Sequence, residues 1–112
     1  MKYKDLLLFF PSAYLIIIGF VARAVKDKKI NSTYGYRSAL SMKNKQNWYF
    51  ANNLMAKGAI SLGILFFIIG FFVYKYVDYT TLGLILIVIA EIFAYIVFGI
   101  MVEDRLKSAH KR

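Results

Sequence analysis

Long runs of apolar residues dominate the chain and define the fold it is expected to adopt. Three stretches carry almost no charge: residues 6–22, 58–74 and 80–102, the last interrupted once by Glu91. The first two hold 17 uncharged residues each. A helix needs about 20 mainly apolar residues to cross the hydrocarbon core of a bilayer, and about 17 is the lower limit. The pattern therefore predicts an all-α membrane protein with three transmembrane helices.

These stretches divide the chain into parts of a single membrane domain over residues 1–112. The predicted parts are a first span at about 6–25, a loop at about 26–46, an interfacial helix that continues into a second span at about 47–76, a third span at about 79–103, and a basic tail at 104–112. A short turn joins the second and third spans, and Asp78 can cap the third helix.

The loop before the second span contains residues that favour an ordered structure. Residues 31–33 (Asn-Ser-Thr) form turns readily because their side chains bond nearby backbone groups, and Gly35 permits backbone angles closed to other residues. Ser41 or Asn44 can cap the helix that follows. Apolar residues recur in that helix at helical spacing: Trp48, Ala51, Met55 and Ala59. We expect Trp48 to lie at the depth of the lipid headgroups.

The first apolar stretch has one alternative interpretation, a cleaved signal peptide. Lys2 and Lys4 precede it, and residues 22–24 (Ala-Arg-Ala) resemble a cleavage site. However, the apolar run is longer than the usual core of a signal peptide. Lys26, Lys28 and Lys29 follow it directly and would hold it in the membrane. We therefore interpret this stretch as a span.

Lys and Arg residues are distributed unequally between the two sides of the predicted membrane. Twelve of the 15 lie between the first two spans or after the third, and Lys2, Lys4 and Lys75 lie on the opposite side. Cytoplasmic segments carry the excess of positive charge. We expect a multi-pass protein of the cell membrane with its N-terminus outside and its first loop and C-terminus in the cytoplasm.

The charge and the residue composition of the chain limit which classes of function it can have. The net charge of +9 would also suit a nucleic-acid binder. Its position beside long uncharged stretches instead favours contact with the lipid bilayer, and no direct nucleic-acid partner is expected. The chain has no cysteine, one histidine (His110) and six scattered acidic residues. These residues offer no metal-ligand spacing and no catalytic set, so we expect no enzyme, cofactor or metal site.

Small residues on the second span suggest a packing face. Ala59, Gly63 and Gly70 share one side of that helix, where they would let another helix approach closely. The approaching helix belongs either to the same chain or to a second copy. The sequence leaves the oligomeric state open.

The loop and the start of the second span resemble the signature of the SdpI family of bacterial membrane immunity proteins. The resemblance rests on a GYR triplet with a tryptophan at a fixed distance. Ser38 stands where the family more often has threonine, and the chain resembles a short, single-repeat form without extra N-terminal spans. The matching residues are Asn31, Gly35, Tyr36, Arg37, Ser41, Asn44, Trp48, Ala51, Asn52 and Gly58.

This resemblance implies a function that hydropathy does not. It implies a membrane protein that protects the producing bacterium from a secreted antimicrobial peptide toxin. It also implies a signalling role, in which the loaded protein holds a cytosolic transcriptional repressor at the membrane. The functional loop motif would comprise Asn31, Gly35, Tyr36, Arg37, Trp48 and Asn52.

Glu91 lies at the middle of the third apolar stretch, with 11 residues on each side. An ionised carboxylate at the bilayer centre costs about 2.5 to 3.5 kcal/mol on insertion scales, so the group should be neutral, paired or beside a wet cavity. Tyr14 and Tyr95 are possible hydrogen-bond partners. The alternative is a functional acid, which would suit a small proton-coupled transporter.

The polar residues of the loop have structural and functional interpretations. Arg37 either contacts lipid headgroups or holds the loop against Glu103 or Asp104. Tyr36, Trp48, Asn52 and Asn53 either line the mouth of a cavity or act as interface anchors and loop ligands. A third class of function, a membrane signalling scaffold, would use the basic loop to recruit a cytosolic regulator.

Overall fold

Three long helices account for most of the molecule. The computed structural model describes residues 3–31 and 33–109. Within these residues the helices are α1 (Tyr3–Val25), α2 (Lys45–Tyr76) and α3 (Thr81–Ala109). Each is long and apolar enough to cross a membrane, with mean hydropathies of 2.1, 2.1 and 2.7 over an 18-residue window. The prediction of an all-α membrane protein with three spanning helices is confirmed.

The helices extend beyond the predicted spans. α2 begins at Lys45 and continues without a break through the predicted interfacial segment. α3 runs to Ala109, through most of the residues predicted as a tail, because Val102 and Leu106 are fully buried and keep its last turns packed. Several residues used in the sequence predictions lie outside the described part of the chain: Lys2, Ser32, His110, Lys111 and Arg112.

Small residues bring α1 and α2 into close contact. Gly63 and Gly70 of α2 are buried, and Ala59 is fully buried one turn before Gly63. A Cβ atom at Gly63 would lie 3.0 Å from the carbonyl oxygen of Ser12, and one at Gly70 would lie 3.2 Å from that of Leu8. The predicted small-residue face of α2 therefore packs against α1 of the same chain.

α3 is held less closely than α1. Thirty-three per cent of the apolar window of α1 is buried within the protein, against 11% of that of α3. The ring of Phe98 occupies the space that a side chain at Gly58 would need, which is the closest approach of α3 to a glycine of α2. A looser third helix leaves room for cavities beside it, and two of these are described below.

Polar contacts join α1 to the turn between α2 and α3. The Tyr79 hydroxyl donates a hydrogen bond to the Asp5 carboxylate, and the Lys4 ammonium lies 5.5 Å from the centre of the Tyr79 ring. Thr80 caps α3, since its hydroxyl oxygen accepts from the backbone N–H of Gly83 at 3.0 Å. The cap predicted at Asp78 is therefore wrong by two residues, because α3 begins later than the pattern indicated.

Candidate functional site

Asn31 makes a turn in the loop between α1 and α2. Its side-chain oxygen accepts hydrogen bonds from the backbone N–H groups of Thr33 at 2.9 Å and Tyr34 at 2.6 Å. Gly35 follows with a φ of +92°, and a Cβ atom there would lie 2.6 Å from the side-chain oxygen of Asn52. Only glycine meets both conditions without strain, so this position is a structural requirement of the loop.

Asn52 connects the loop to α2 through both ends of its side-chain amide. Its Oδ1 accepts from the backbone N–H of Tyr36 at 2.7 Å, and its Nδ2 donates to the carbonyl oxygen of Tyr36 at 3.3 Å. The same Nδ2 donates to the Trp48 carbonyl oxygen at 3.1 Å. Asn52 is fully buried, so these bonds replace those that water would otherwise make.

Tyr36 connects the loop to α3. Its hydroxyl donates a 2.7 Å hydrogen bond to Oε1 of Glu103. Burial, together with the neighbouring Glu103 carboxylate, raises the pKa of Tyr36, so the phenol keeps the proton that it donates. The GYR triplet therefore contacts Glu103 through Tyr36, and the contact predicted for Arg37 with Glu103 or Asp104 stays a prediction. Arg37 itself is exposed at the edge of the loop.

Two serines and an asparagine complete the loop. The Ser38 N–H donates to Oγ of Ser41 at 2.7 Å, and the Ser41 N–H donates to Oγ of Ser38 at 3.0 Å. Asn44, rather than Ser41, caps α2, with its Oδ1 accepting from the N–H of Asn47 at 2.8 Å. Ser41 is fully buried three residues before the cap, and its hydroxyl oxygen accepts from Ser38 instead of from α2.

Trp48 caps the C-terminal end of α1. Its side chain is fully buried, and its Nε1–H donates to the carbonyl oxygen of Val25, the last residue of α1, at 2.8 Å. This contact satisfies one of the backbone carbonyls that a helix leaves unpaired at its C-terminus. Protein rather than lipid surrounds the indole, which argues against the interpretation of Trp48 as an interface anchor. The predicted depth of Trp48 at the headgroups stays a prediction.

A cavity of about 390 Å³ lies beside the loop. We call it the loop recess. Residues 33–37 of the loop form one wall, and Val21 of α1 and Met55 of α2 contribute to the others. Tyr14 and Tyr95 form its end within the membrane-spanning part of the bundle. Arg37 therefore faces the same space as two intramembrane tyrosines.

Glu91 lines a second cavity, of about 280 Å³, between α1 and α3. We call it the Glu91 cavity. Glu91 is 7% exposed, and neither carboxylate oxygen has a hydrogen-bond partner among the described residues. Its other walls are mostly apolar and comprise Phe10, Pro11, Tyr14, Leu15, Val88, Ile92 and Tyr95.

The hydrogen bond predicted from Glu91 to Tyr14 or Tyr95 is not formed. The two tyrosines instead pack edge to face, with ring centres 6.1 Å apart and an interplanar angle of 83°. Both line the loop recess and the Glu91 cavity. The tyrosine pair therefore borders both spaces, which are neighbours along α1.

Comparison with known families identifies the part of the chain that carries this site. The family model of the SdpI/YfhL protein family matches residues 28–102. The chain belongs to the SdpI/YfhL family. The matched region contains most of the loop, all of α2 and most of α3, including Tyr36, Asn52 and Glu91. No curated protein and no solved structure shows a significant match to the chain.

Proposed function

We propose that this SdpI/YfhL protein protects the bacterium that makes it from a secreted peptide toxin, and that it engages the peptide between α1 and α3. Family membership supports the general role. The observation that carries the location is that Tyr14 and Tyr95 border both the loop recess and the Glu91 cavity. Movement of the tyrosine pair would join the two cavities into one groove, which suits an extended or helical segment that enters from the membrane surface.

The lining of the groove indicates the kind of peptide it would accept. Phe10, Leu15 and Ile92 offer apolar surface to hydrophobic side chains. Both carboxylate oxygens of Glu91 are buried and have no hydrogen-bond partner among the described residues. We propose that entry of the peptide uncovers them, so that a lysine, arginine or N-terminal amine of the peptide can pair with them. A hydrophobic peptide with at least one positive charge is therefore the substrate class that we propose.

A challenge experiment tests this function. Sensitive cells that express the wild-type chain are exposed to a panel of secreted cationic and hydrophobic peptides, beside cells that express Glu91→Gln or Arg37→Ala. Lys43→Ala is the matched control for Arg37→Ala, since Lys43 is exposed in the same loop but lines neither cavity. We expect the wild type and the control to survive a peptide that kills both other strains. Equal killing of the wild type and vector cells by every peptide would contradict the proposal.

A second candidate is a small proton-coupled transporter, which the unpartnered carboxyl of Glu91 favours. Transport would depend on a proton gradient, whereas neutralisation of a peptide in the membrane would not. Peptide efflux measured in vesicles, with and without a proton-dissipating agent, separates the two functions. Efflux that persists unchanged in Glu91→Gln would remove the basis for the transporter.

The signalling role is also a proposal, and it requires the loop to lie in the cytoplasm. Support comes from the exposed positive side chains at the loop surface: Lys28, Lys29, Arg37 and Lys43. Reporter tags on the two ends of the chain should be found on opposite sides of the membrane. Capture of a cytosolic repressor by the wild type but not by Arg37→Ala is the expected result. Equal capture by both would contradict a role for this surface.

A further inference from the structure

A third cavity, of about 390 Å³, lies in the groove between the C-terminal end of α1 and the first half of α2. The functions proposed above do not use it. Three of its seven lining residues are cationic and none is acidic. The other four supply an amide, a hydroxyl and two apolar side chains. The full lining is Arg23, Lys26, Asn53, Ala56, Lys57, Ile60 and Ser61.

The positive side chains of this groove have little internal compensation. Lys26 donates to Oδ1 of Asn53 at 3.2 Å, and its ammonium lies 5.6 Å from the centre of the Tyr49 ring. Both partners are neutral, so the charge of Lys26 is not cancelled. No ion pair to Arg23 or Lys57 is present within residues 3–31 and 33–109. The three positive charges around this cavity repel each other. An anion bound between them would offset this repulsion, because it attracts all three.

The surroundings of the groove distinguish a lipid from a free anion. Phe20 of α1 lies about one helical turn further into the span than Arg23, and Ile64 of α2 lies about two turns further than Lys57. Both side chains are half exposed. A phosphate held by the cations would therefore have apolar helix surface directly below it. Free phosphate gains nothing from that surface, whereas the acyl chains of a phospholipid would cover it.

We propose that the groove of Arg23, Lys26 and Lys57 binds the phosphate of an anionic phospholipid, with its acyl chains along Phe20 and Ile64. The guanidinium of Arg23 is suited to a bidentate contact with phosphate oxygens, and the two lysines add charge. Ser61 supplies a hydroxyl at the edge of the cavity for the glycerol side of the headgroup. Basic pockets between spanning helices commonly take such headgroups. The assignment is independent of toxin resistance, because its readout is the bound lipid.

The test measures how much phosphatidylglycerol the full chain retains after detergent exchange, by native mass spectrometry. The wild type is compared with the double variant Arg23→Gln and Lys57→Gln. The control is Lys28→Gln with Lys29→Gln, which removes the same charge from exposed positions outside the groove. We expect retention to fall about tenfold or more in the groove variant, since each lost charge-assisted hydrogen bond weakens binding by roughly that factor. The control should resemble the wild type.

Three further comparisons distinguish an anionic lipid from other ligands and from loss of folding. Arg23→Lys with Lys57→Arg preserves both charges and should retain the lipid, which guards against a variant that loses binding by misfolding. Zwitterionic phosphatidylcholine and inorganic phosphate should bind weakly. Equal losses in the groove and control variants, equal retention of phosphatidylcholine, or tight binding of inorganic phosphate would each overturn the assignment to an anionic lipid.

Discussion

Two buried polar side chains, Asn52 in the loop network and Glu91 in α3, have opposite environments. The Asn52 amide is fully buried and uses both its oxygen and its nitrogen in hydrogen bonds. The Glu91 carboxylate is 7% exposed and has no hydrogen-bond partner among the residues described. Buried polar groups in folded proteins are normally paired. The comparison therefore separates a buried group that builds the structure from a buried group whose hydrogen-bonding capacity the described residues do not use.

The difference follows from where each group lies in the bundle. Asn52 faces a loop whose backbone N–H and carbonyl groups need partners, and it supplies them. Glu91 faces a gap between α1 and the loosely packed α3, whose walls offer mainly apolar atoms. Tyr14 and Tyr95 border that gap but pack on each other. If this contrast is correct, substitutions in the loop network will cost stability, and substitutions at Glu91 will cost function.

The largest effect is expected for Asn52→Leu. The change leaves the backbone N–H of Tyr36 unpaired in a buried site and removes the bonds to the Tyr36 and Trp48 carbonyl oxygens. We expect the free energy of unfolding to fall by about 3 kcal/mol, since each unpaired buried group costs roughly 1 to 3 kcal/mol. Unfolding in detergent is followed by the fluorescence of Trp48, the single tryptophan of the chain.

Asn53→Leu is the matched control for this change. Asn53 is partly buried and accepts one bond, from the Lys26 ammonium at 3.2 Å. Its loss should cost less than about 1 kcal/mol, because a partly exposed Lys26 regains water as a partner. Equal destabilisation by the two leucine variants would contradict the special role given to Asn52.

The next largest effect is expected for Gly35→Ala. Gly35 has a φ of +92°, and the added Cβ would lie 2.6 Å from Oδ1 of Asn52. Left-handed backbone costs about 1 to 2 kcal/mol outside glycine, and displacement of the Asn52 amide adds to it, so we expect a loss of about 2 kcal/mol.

Gly99→Ala is the control for Gly35→Ala, and it should change the free energy of unfolding in the opposite direction. Gly99 lies inside α3, and apart from its chain neighbours and the backbone of its own helix no described atom lies within 4 Å of the Cβ that alanine would add. Alanine in a helix interior is better than glycine by about 0.5 to 1 kcal/mol, so this variant should be slightly more stable. Thermal unfolding followed by circular dichroism measures both variants. A destabilised Gly99→Ala would show that glycine loss alone explains the Gly35 result.

Sequence patterns predicted the three helices and the local turns and caps of this structure well. Hydropathy depends on composition over long windows, so the three spans were found without knowledge of their contacts. Turn and capping chemistry is local as well, which is why Asn31, Gly35 and Asn44 have the roles that their residue types indicate. The family resemblance in the loop is likewise a local pattern, and the family match confirms it.

Contacts between distant parts of the chain were predicted less well. Trp48 bonds a backbone carbonyl at Val25, and every residue has such a carbonyl, so no sequence signal marks it. The hydrogen bond between Tyr14 and Glu91 was predicted because both residues should lie at a similar depth in the membrane. Depth alone does not determine the rotation of each helix or the direction of the Tyr14 hydroxyl. The direction of a side chain depends on helix packing, and packing in lipid depends on close fit rather than on hydrophobic pattern.

A smaller effect on stability is expected for Tyr36→Phe. The variant keeps the ring but loses the 2.7 Å hydrogen bond to Glu103. We expect a loss of about 1 kcal/mol, below the range for fully buried bonds to charged groups because the site is only partly buried. Tyr34→Phe is the control, since Tyr34 is 61% exposed and should change stability by less than about 0.5 kcal/mol.

The contribution of the Tyr36 hydrogen bond to the free energy of unfolding should also decrease at high pH. Burial and Glu103 raise the pKa of Tyr36 in the folded protein above its value in the unfolded chain, which is about 10. The stabilisation is therefore fully present below about pH 10 and is lost as the pH rises through the folded-state pKa. The difference in unfolding free energy between the wild type and Tyr36→Phe should be constant near neutral pH and shrink at alkaline pH. A difference that grows with pH would contradict this assignment.

The smallest effect on stability, and the largest on function, is expected for Glu91→Gln. No hydrogen bond is lost, because the carboxylate makes none among the described residues, and the glutamine side chain has nearly the same shape. The free energy of unfolding should change by less than about 0.5 kcal/mol. Resistance to a peptide that the wild type neutralises should nevertheless be lost, because the carboxylate would complement the charge of the peptide. If Glu91→Gln instead unfolds as readily as Asn52→Leu, the carboxylate is a structural group and the contrast between the two buried side chains fails.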